Sequence, residues 1–236
     1  MKYKKIGILG GMGPAASAAF YQQIIEICQK KYKAVQDTDF PEILLYSMAL
    51  KSFTQEGITN EEKVLQQLLR GVKTLERAGC SVVVIPCNTV HVYIDQLRTK
   101  IKIPIISIIE EVISVICAQG ITSVGLLCSK TTSEKKLYDL SFKQKNIQVQ
   151  KRTSPHEQKK ITQLIEQVMG GTIQQKTKND VASYANTFEE VQAVVLGCTE
   201  LPLAITQKDI KIPLFDSLHI LAQATVDYVF APPQPS

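Results

Sequence analysis

Histidine is scarce in this chain: His91, His156 and His219 are the whole set, and neither of the last two lies near a cysteine pair in sequence. A zinc site needs several Cys and His ligands grouped together, so no metal is expected, although His91 follows Cys87 by about one helical turn. No apolar run reaches the roughly eighteen residues that a membrane-crossing helix requires, which argues against a membrane partner. The first residues, with Lys2, Lys4 and Lys5, run into a short strand and glycines without the apolar region of a secretory signal, so a cytoplasmic location is expected. The basic stretches, Lys2–Lys5 and Lys143–Arg152, have no interleaved aromatics and no recognisable nucleic-acid motif, and no nucleic-acid partner is expected. A net charge of +5 is modest and spread out, enough at most to draw in an anionic substrate. In a reducing compartment the cysteines should be free thiols, and Cys28, Cys80, Cys117 and Cys128 read as small buried hydrophobes.

The two remaining cysteines stand in matching surroundings. Val82–Pro86 precedes Cys87-Asn88-Thr89, and Ala193–Gly197 precedes Cys198-Thr199-Glu200; each reads as a buried strand that stops at a turn where a helix starts. That junction is the C-terminal edge of a sheet, where α/β proteins place their sites. The likeness extends along the chain. Ile6–Leu9 corresponds to Val124–Leu127, and Lys102–Ile105 to Lys211–Leu214, in the same order and with a slowly shrinking offset. The 236 residues therefore read as two similar α/β halves rather than a short-period array, 1–112 with the glycine-rich loop and Cys87, and 113–236 with Cys198. The expected fold class is α/β: two domains of mostly parallel sheets flanked by helices, pseudo-twofold related, with the site in the cleft between them. The last helix is free to cross over to the first half.

Periodicity predicts strands over 4–9, 42–48, 81–86, 103–107, 122–128, 147–150, 191–196 and 212–215. It predicts helices over 14–31, 60–78, 88–100, 108–119, 131–145, 155–169, 177–190 and 216–230. The proline-rich tail 231–236 is expected to be disordered. The loop Gly10-Gly11-Met12-Gly13-Pro14 formally matches a dinucleotide fingerprint through Gly11, Gly13 and Ala16. The second strand, however, ends in Tyr46-Ser47-Met48 without the acid that would hold a ribose, so no nucleotide cofactor is expected. Pro14 starts a helix and leaves amides free for an anion, so the loop reads as a backbone approach to a small carboxylate.

Leu9–Pro14, Pro86–His91 and Gly197–Glu200, with Ile103–Glu110 and Ile212–Asp216 behind them, resemble the aspartate/glutamate racemases that work without pyridoxal phosphate. The resemblance spans nearly the whole chain. It implies a cofactor-independent amino-acid racemase with a small-molecule amino-acid substrate, aspartate or glutamate leading, and it leaves a homodimer open. Racemisation takes the Cα proton from one face and returns a proton to the other, which suits one acid/base group in each half. By resemblance, Cys87 and Cys198 are that pair. Asn88, Thr89, Val90, Thr199 and Glu200 would hold the α-carboxylate and amino group through side chains and helix-start amides, with Met12 and Gly13 closing the pocket from one loop and Ser129 and Thr132 from the other. Helix capping is the plainer reading of Asn88, Thr89 and Thr199, compatible with binding. A helix start is expected to lower a thiol toward neutrality. Glu200 and Asp216 would orient Cys198 or bind amides.

The chain departs from the aspartate racemase pattern where a side-chain carboxylate should be held. The loop Tyr46–Thr54 contains no arginine, and Met169-Gly170-Gly171 stands where a lysine is expected. Lys51 is the remaining candidate for that contact. A broad-specificity amino-acid racemase is the first alternative, and an isomerase or decarboxylase of the same superfamily the second. Outside the class stand a non-catalytic carboxylate-binding protein and a nucleotide-dependent oxidoreductase.

Overall fold

The computed structural model describes residues 4–232. In chain order its first half comprises β1 (Ile6–Gly10), α1 (Pro14–Tyr32), β2 (Ile43–Ser47), a hairpin of β3 (Phe53–Thr54) and β4 (Gly57–Ile58), α2 (Glu61–Arg77), β5 (Val82–Val84), α3 (Ile94–Arg98) and β6 (Ile105–Ile106). After α4 (Ile108–Ala118) come β7 (Ser123–Cys128), α5 (Lys130–Glu134), α6 (Asp139–Gln144), β8 (Gln148–Lys151), α7 (Pro155–Met169), α8 (Gln175–Asn186), β9 (Ala193–Gly197), β10 (Leu214–Asp216) and α9 (Ser217–Phe230). Among the described residues no helix is long and apolar enough to cross a membrane.

Two four-stranded sheets, all parallel, repeat one order: β2-β1-β5-β6 and β8-β7-β9-β10. The sequence correspondences fall on equivalent strands, Ile6–Leu9 in central β1 and Val124–Leu127 in central β7. Cys87 and Cys198 follow β5 and β9, the third strand of each sheet. The runs β1, β5 and β9 are buried along their whole length, because helices cover both faces of a parallel sheet. Ile6, Ile8, Val124, Leu126 and Leu218 belong to one apolar core shared by the two halves, while Leu9 and Val83 cluster with Leu68 of α2, and Leu127 and Val194 with Ile165 of α7. Helix α9 packs against α1 and α4. There the rings of Tyr32 and Phe230 stack 4.0 Å apart, and Tyr32 Oη donates to Asp227 at 2.7 Å.

Several expectations differ in detail. The helix expected over 88–100 opens as a 3₁₀ turn, Thr89–Tyr93, before the short α3. The Cys87 carbonyl, which a regular α-helix would give to the His91 amide, is bound by the His91 ring, and that amide turns to the Asn88 carbonyl instead. The helix expected over 131–145 breaks in two around Lys136, whose φ is +53°, and the break lets Tyr138 turn into the core to stack on Phe142. Cys198 is followed by a single 3₁₀ turn, Leu201–Leu203, where Pro202 limits helix growth. The hairpin was not anticipated; it carries only two residues per strand, too few for an alternating pattern. The tail beyond Pro232 lies outside the described residues.

Candidate active site

The glycine-rich loop is shaped by its own first helix and by a residue from the other half. Gly11 has φ of +95°, and a Cβ there would sit 2.3 Å from the Met48 carbonyl oxygen, so this position takes glycine. Ser17, one turn into α1, accepts from the Gly11 amide at 2.9 Å and donates to the Gly13 carbonyl at 2.8 Å. The Gly13 amide donates to Glu200 Oε1 at 3.1 Å, and a Cβ on Gly13 would lie 2.8 Å from that oxygen. The Gly13 amide, expected to be free for a small carboxylate, is taken by the protein's own Glu200.

Glu200 gathers three donors. Its Oε2 accepts from Cys198 Sγ at 3.2 Å and from Thr199 Oγ1 at 3.2 Å, alongside the Gly13 amide on Oε1. The carboxyl is buried, and burial raises its pKa despite those hydrogen bonds, which favour the charged form. The Thr199 hydroxyl is thereby occupied within the protein. Asp216 takes the other role expected of it, capping α9 by accepting from the Leu218 and His219 amides at 2.8 and 3.2 Å.

Cys87 shares the electrostatic neighbourhood of Glu200 with Cys198. Burial pushes its thiol up to about 12, the Glu200 carboxylate pushes the same way, and the Val90 and Thr89 amides lower it only in part. Cys198 is raised well above its ordinary value, by burial first and then by Glu200, with Cys87 a smaller contributor. The expected fall toward neutrality is thus reversed: both thiols are more than nine-tenths buried, and desolvation of a thiolate outweighs a few backbone amides.

The residues around Cys87 tie the two halves together. Thr89 Oγ1 lies 2.9 Å from Ser129 Oγ and 3.2 Å from Thr132 Oγ1, so three predicted site residues form one buried hydroxyl cluster. Ser129 also accepts from the Thr132 amide and caps α5. Asn88 caps no helix with its side chain. Its Oδ1 accepts from Tyr138 Oη at 2.5 Å and its Nδ2 donates to Ser217 Oγ at 3.1 Å. His91 faces the main chain: with the Cys87 carbonyl 2.8 Å from Nδ1, that nitrogen carries the proton, and Nε2 accepts from the Ile108 amide at 3.2 Å. Both ring nitrogens are therefore occupied by main-chain groups.

A cavity of about 280 Å³ adjoins the loop, walled by Gly11, Met12, Leu50, Phe53, Thr54, Gln55, Glu166 and Met169. Met12 lines it and is followed by Gly13, whose amide bonds Glu200, so the cavity adjoins the Glu200 group. Met169, standing where a lysine was looked for, packs beside Gly13 and accepts at Sδ from Gln55 Nε2 at 3.0 Å. Lys51 is exposed and is not part of the wall; its main-chain amide donates to Gln67.

The sequence profile described as Asp/Glu/Hydantoin racemase matches residues 9–225, most of the chain. The chain belongs to the Asp/Glu/hydantoin racemase family. It is 29% identical to the broad specificity amino-acid racemase RacX of Bacillus subtilis (strain 168) over 230 residues, 96% of this chain and 98% of that protein. Among solved structures it is similar to an aspartate racemase homologue from Pyrococcus horikoshii OT3, with a TM-score of 0.80, 31% identity, and coverage of 97% of this chain and 100% of that one. It is also similar to the aspartate racemase of Picrophilus torridus, with a TM-score of 0.81, 26% identity, and coverage of 95% and 93%.

Of the residues expected from sequence, the structure of this family member brings Gly13, Cys198, Thr199 and Glu200 into one hydrogen-bonded group and Thr89, Ser129 and Thr132 into another; Ser17, Tyr138 and Ser217, bonded to Gly13 and Asn88, were not anticipated. Ser17 carried a usable signal, because a hydroxyl four residues after Gly13 on a helix starting at Pro14 folds back onto the loop. Tyr138 and Ser217 carried none, since they reach Asn88 from the other half.

Proposed function

We propose that this chain racemises α-amino acids without a cofactor, using Cys87 and Cys198 as the two proton-transfer groups. The observation that supports this reading is the placement of two buried thiols at equivalent strand ends of two like sheets, both within the field of one carboxylate, Glu200. One cysteine acts as a thiolate and takes the Cα proton, leaving a planar enediolate-like carbanion; the other, a thiol, gives its proton to the opposite face. For the opposite enantiomer the roles exchange. Glu200 is placed to take the proton from Cys198 across their hydrogen bond, and its raised pKa suits it to that task. A substrate ammonium entering beside the thiols adds positive charge that favours a thiolate, opposing the desolvation that raises it. The hydroxyls of Thr89, Ser129 and Thr132 and the amides after Cys87 are donors suited to the α-carboxylate.

The division into halves near residue 112 and a cytoplasmic site of action belong to the same reading. The test is deuterium incorporation at Cα, followed by proton NMR in D₂O with no cofactor added, across L- and D-amino acids headed by aspartate and glutamate. Exchange with appearance of the other enantiomer is expected, and Cys87→Ala and Cys198→Ala should each lower racemisation by about 10³-fold or more. Wild-type racemisation by either variant defeats the two-thiol mechanism. Loss of substrate mass in the wild-type reaction would indicate a decarboxylase instead.

A further inference from the structure

Resting on the racemase reading, we infer that the cavity beside Met12 receives the substrate side chain and favours a neutral or cationic one over a carboxylate, with Glu166 setting that preference. Its walls contain Leu50, Phe53 and Met169 as apolar surface and Thr54 and Gln55 as neutral polar groups. Among the described residues lining it, Glu166 is the one charged side chain. Glu166 and Met169 stand three residues apart on α7 and so share a face of the helix.

A side-chain carboxylate entering here would lose water against apolar walls, meet no cation, and stand near a like charge. Among the described residues no lysine or arginine lines the cavity, and Lys51, next to Leu50 in the chain, is exposed outside the wall. A long cationic side chain fits the same surface in two parts. Its methylene stem lies along Phe53 and Met169, and its charged head reaches Glu166 at the exposed rim. An unbranched neutral side chain such as that of methionine fits the apolar part alone.

The full chain is assayed for kcat/KM of racemisation of L-lysine, L-methionine, L-aspartate and L-glutamate, as wild type and as Glu166→Gln and Glu166→Lys. Glu166 is exposed, so neither substitution disturbs the core. In the wild type, lysine and methionine are expected to exceed glutamate, lysine by about tenfold or more. Glu166→Gln should lower the lysine-to-methionine ratio by about two- to fivefold, and Glu166→Lys should raise the glutamate-to-lysine ratio by more than that. Efficient racemisation that is fastest with aspartate or glutamate overturns the inference while leaving the two-thiol reading intact. A lysine-to-methionine ratio unmoved by Glu166→Gln overturns the assignment of Glu166. Absence of Cα exchange with every amino acid overturns both readings.

Discussion

Acid should destabilise this protein through a single buried imidazole. His91 is 4% exposed, its Nδ1–H donates to the Cys87 carbonyl, and its Nε2 accepts from the Ile108 amide. A second proton would have to sit on Nε2, against an N–H that already points at it. Burial lowers the pKa from 6.5 to about 4, the hydrogen bond to the Cys87 carbonyl only partly opposing it. In the unfolded chain the ring takes up a proton near 6.5, whereas in the folded protein it does so only near 4. A depressed pKa of this kind contributes stability that is present above the unfolded value and is lost as pH falls through the window from 6.5 to 4. At about 1.4 kcal/mol per unit the loss comes to about 3 kcal/mol, a large part of the net stability of an ordinary domain. Urea unfolding of the wild type and His91→Asn at several pH values between 7.5 and 4 measures it. Groups whose shifts do not involve His91, such as Asp39, lowered chiefly by its hydrogen bond from the Gln36 amide, and Asp216, raised by burial, cancel in the comparison. The wild type should lose about 3 kcal/mol more than the variant across that window. Parallel curves for the two proteins would refute the argument, because they would mean that the folded state accepts the proton as readily as the unfolded chain.

Two further substitutions probe the contacts around the thiols. Tyr138→Phe removes the donor to Asn88 Oδ1 and leaves a buried oxygen unsatisfied, which should cost about 1–3 kcal/mol in urea unfolding; an unchanged midpoint would show that the bond contributes nothing. Glu200→Gln removes the carboxylate that raises both thiols, so the pH midpoint of thiolate ultraviolet absorbance should fall for Cys87 and Cys198 together. Racemisation should nevertheless drop about 10²–10⁴-fold in that variant, since Cys198 loses its proton acceptor, and retained activity would remove Glu200 from the mechanism.

How much of this was legible in the sequence depends on how local the cause was. Strands β1, β5, β7 and β9 were readable because a strand buried on both faces is a plain apolar run, and the repeat order followed from matching such runs. The thiols and Glu200 were readable because each stands next to the end of such a run. The partners of Asn88 were not, since Tyr138 and Ser217 are fifty or more residues away and nothing in their own surroundings marks them. The 3₁₀ turn after Cys87 escaped for a similar reason: a helical pattern of apolar residues is also met by a tighter turn that buries Val90, His91 and Tyr93.

The sign of the thiol shifts shows the limit most sharply. A strand-to-helix junction suggests amides that stabilise a thiolate, and those amides are present at Cys87. Burial is a property of the assembled halves, and here it is the larger effect. A thiol held near 12 is sparsely ionised at neutral pH, yet the same shift makes its thiolate a stronger base toward a weakly acidic Cα proton. The two consequences are reconciled if ionisation accompanies substrate entry, the ammonium group supplying positive charge beside the thiol. On that reasoning Cys87 should be slow to alkylate with iodoacetamide in the free enzyme. The pH midpoint of racemisation at saturating substrate should lie below the thiol pKa of the free enzyme; a saturating midpoint at or above the free-enzyme value would remove the substrate's charge from the account.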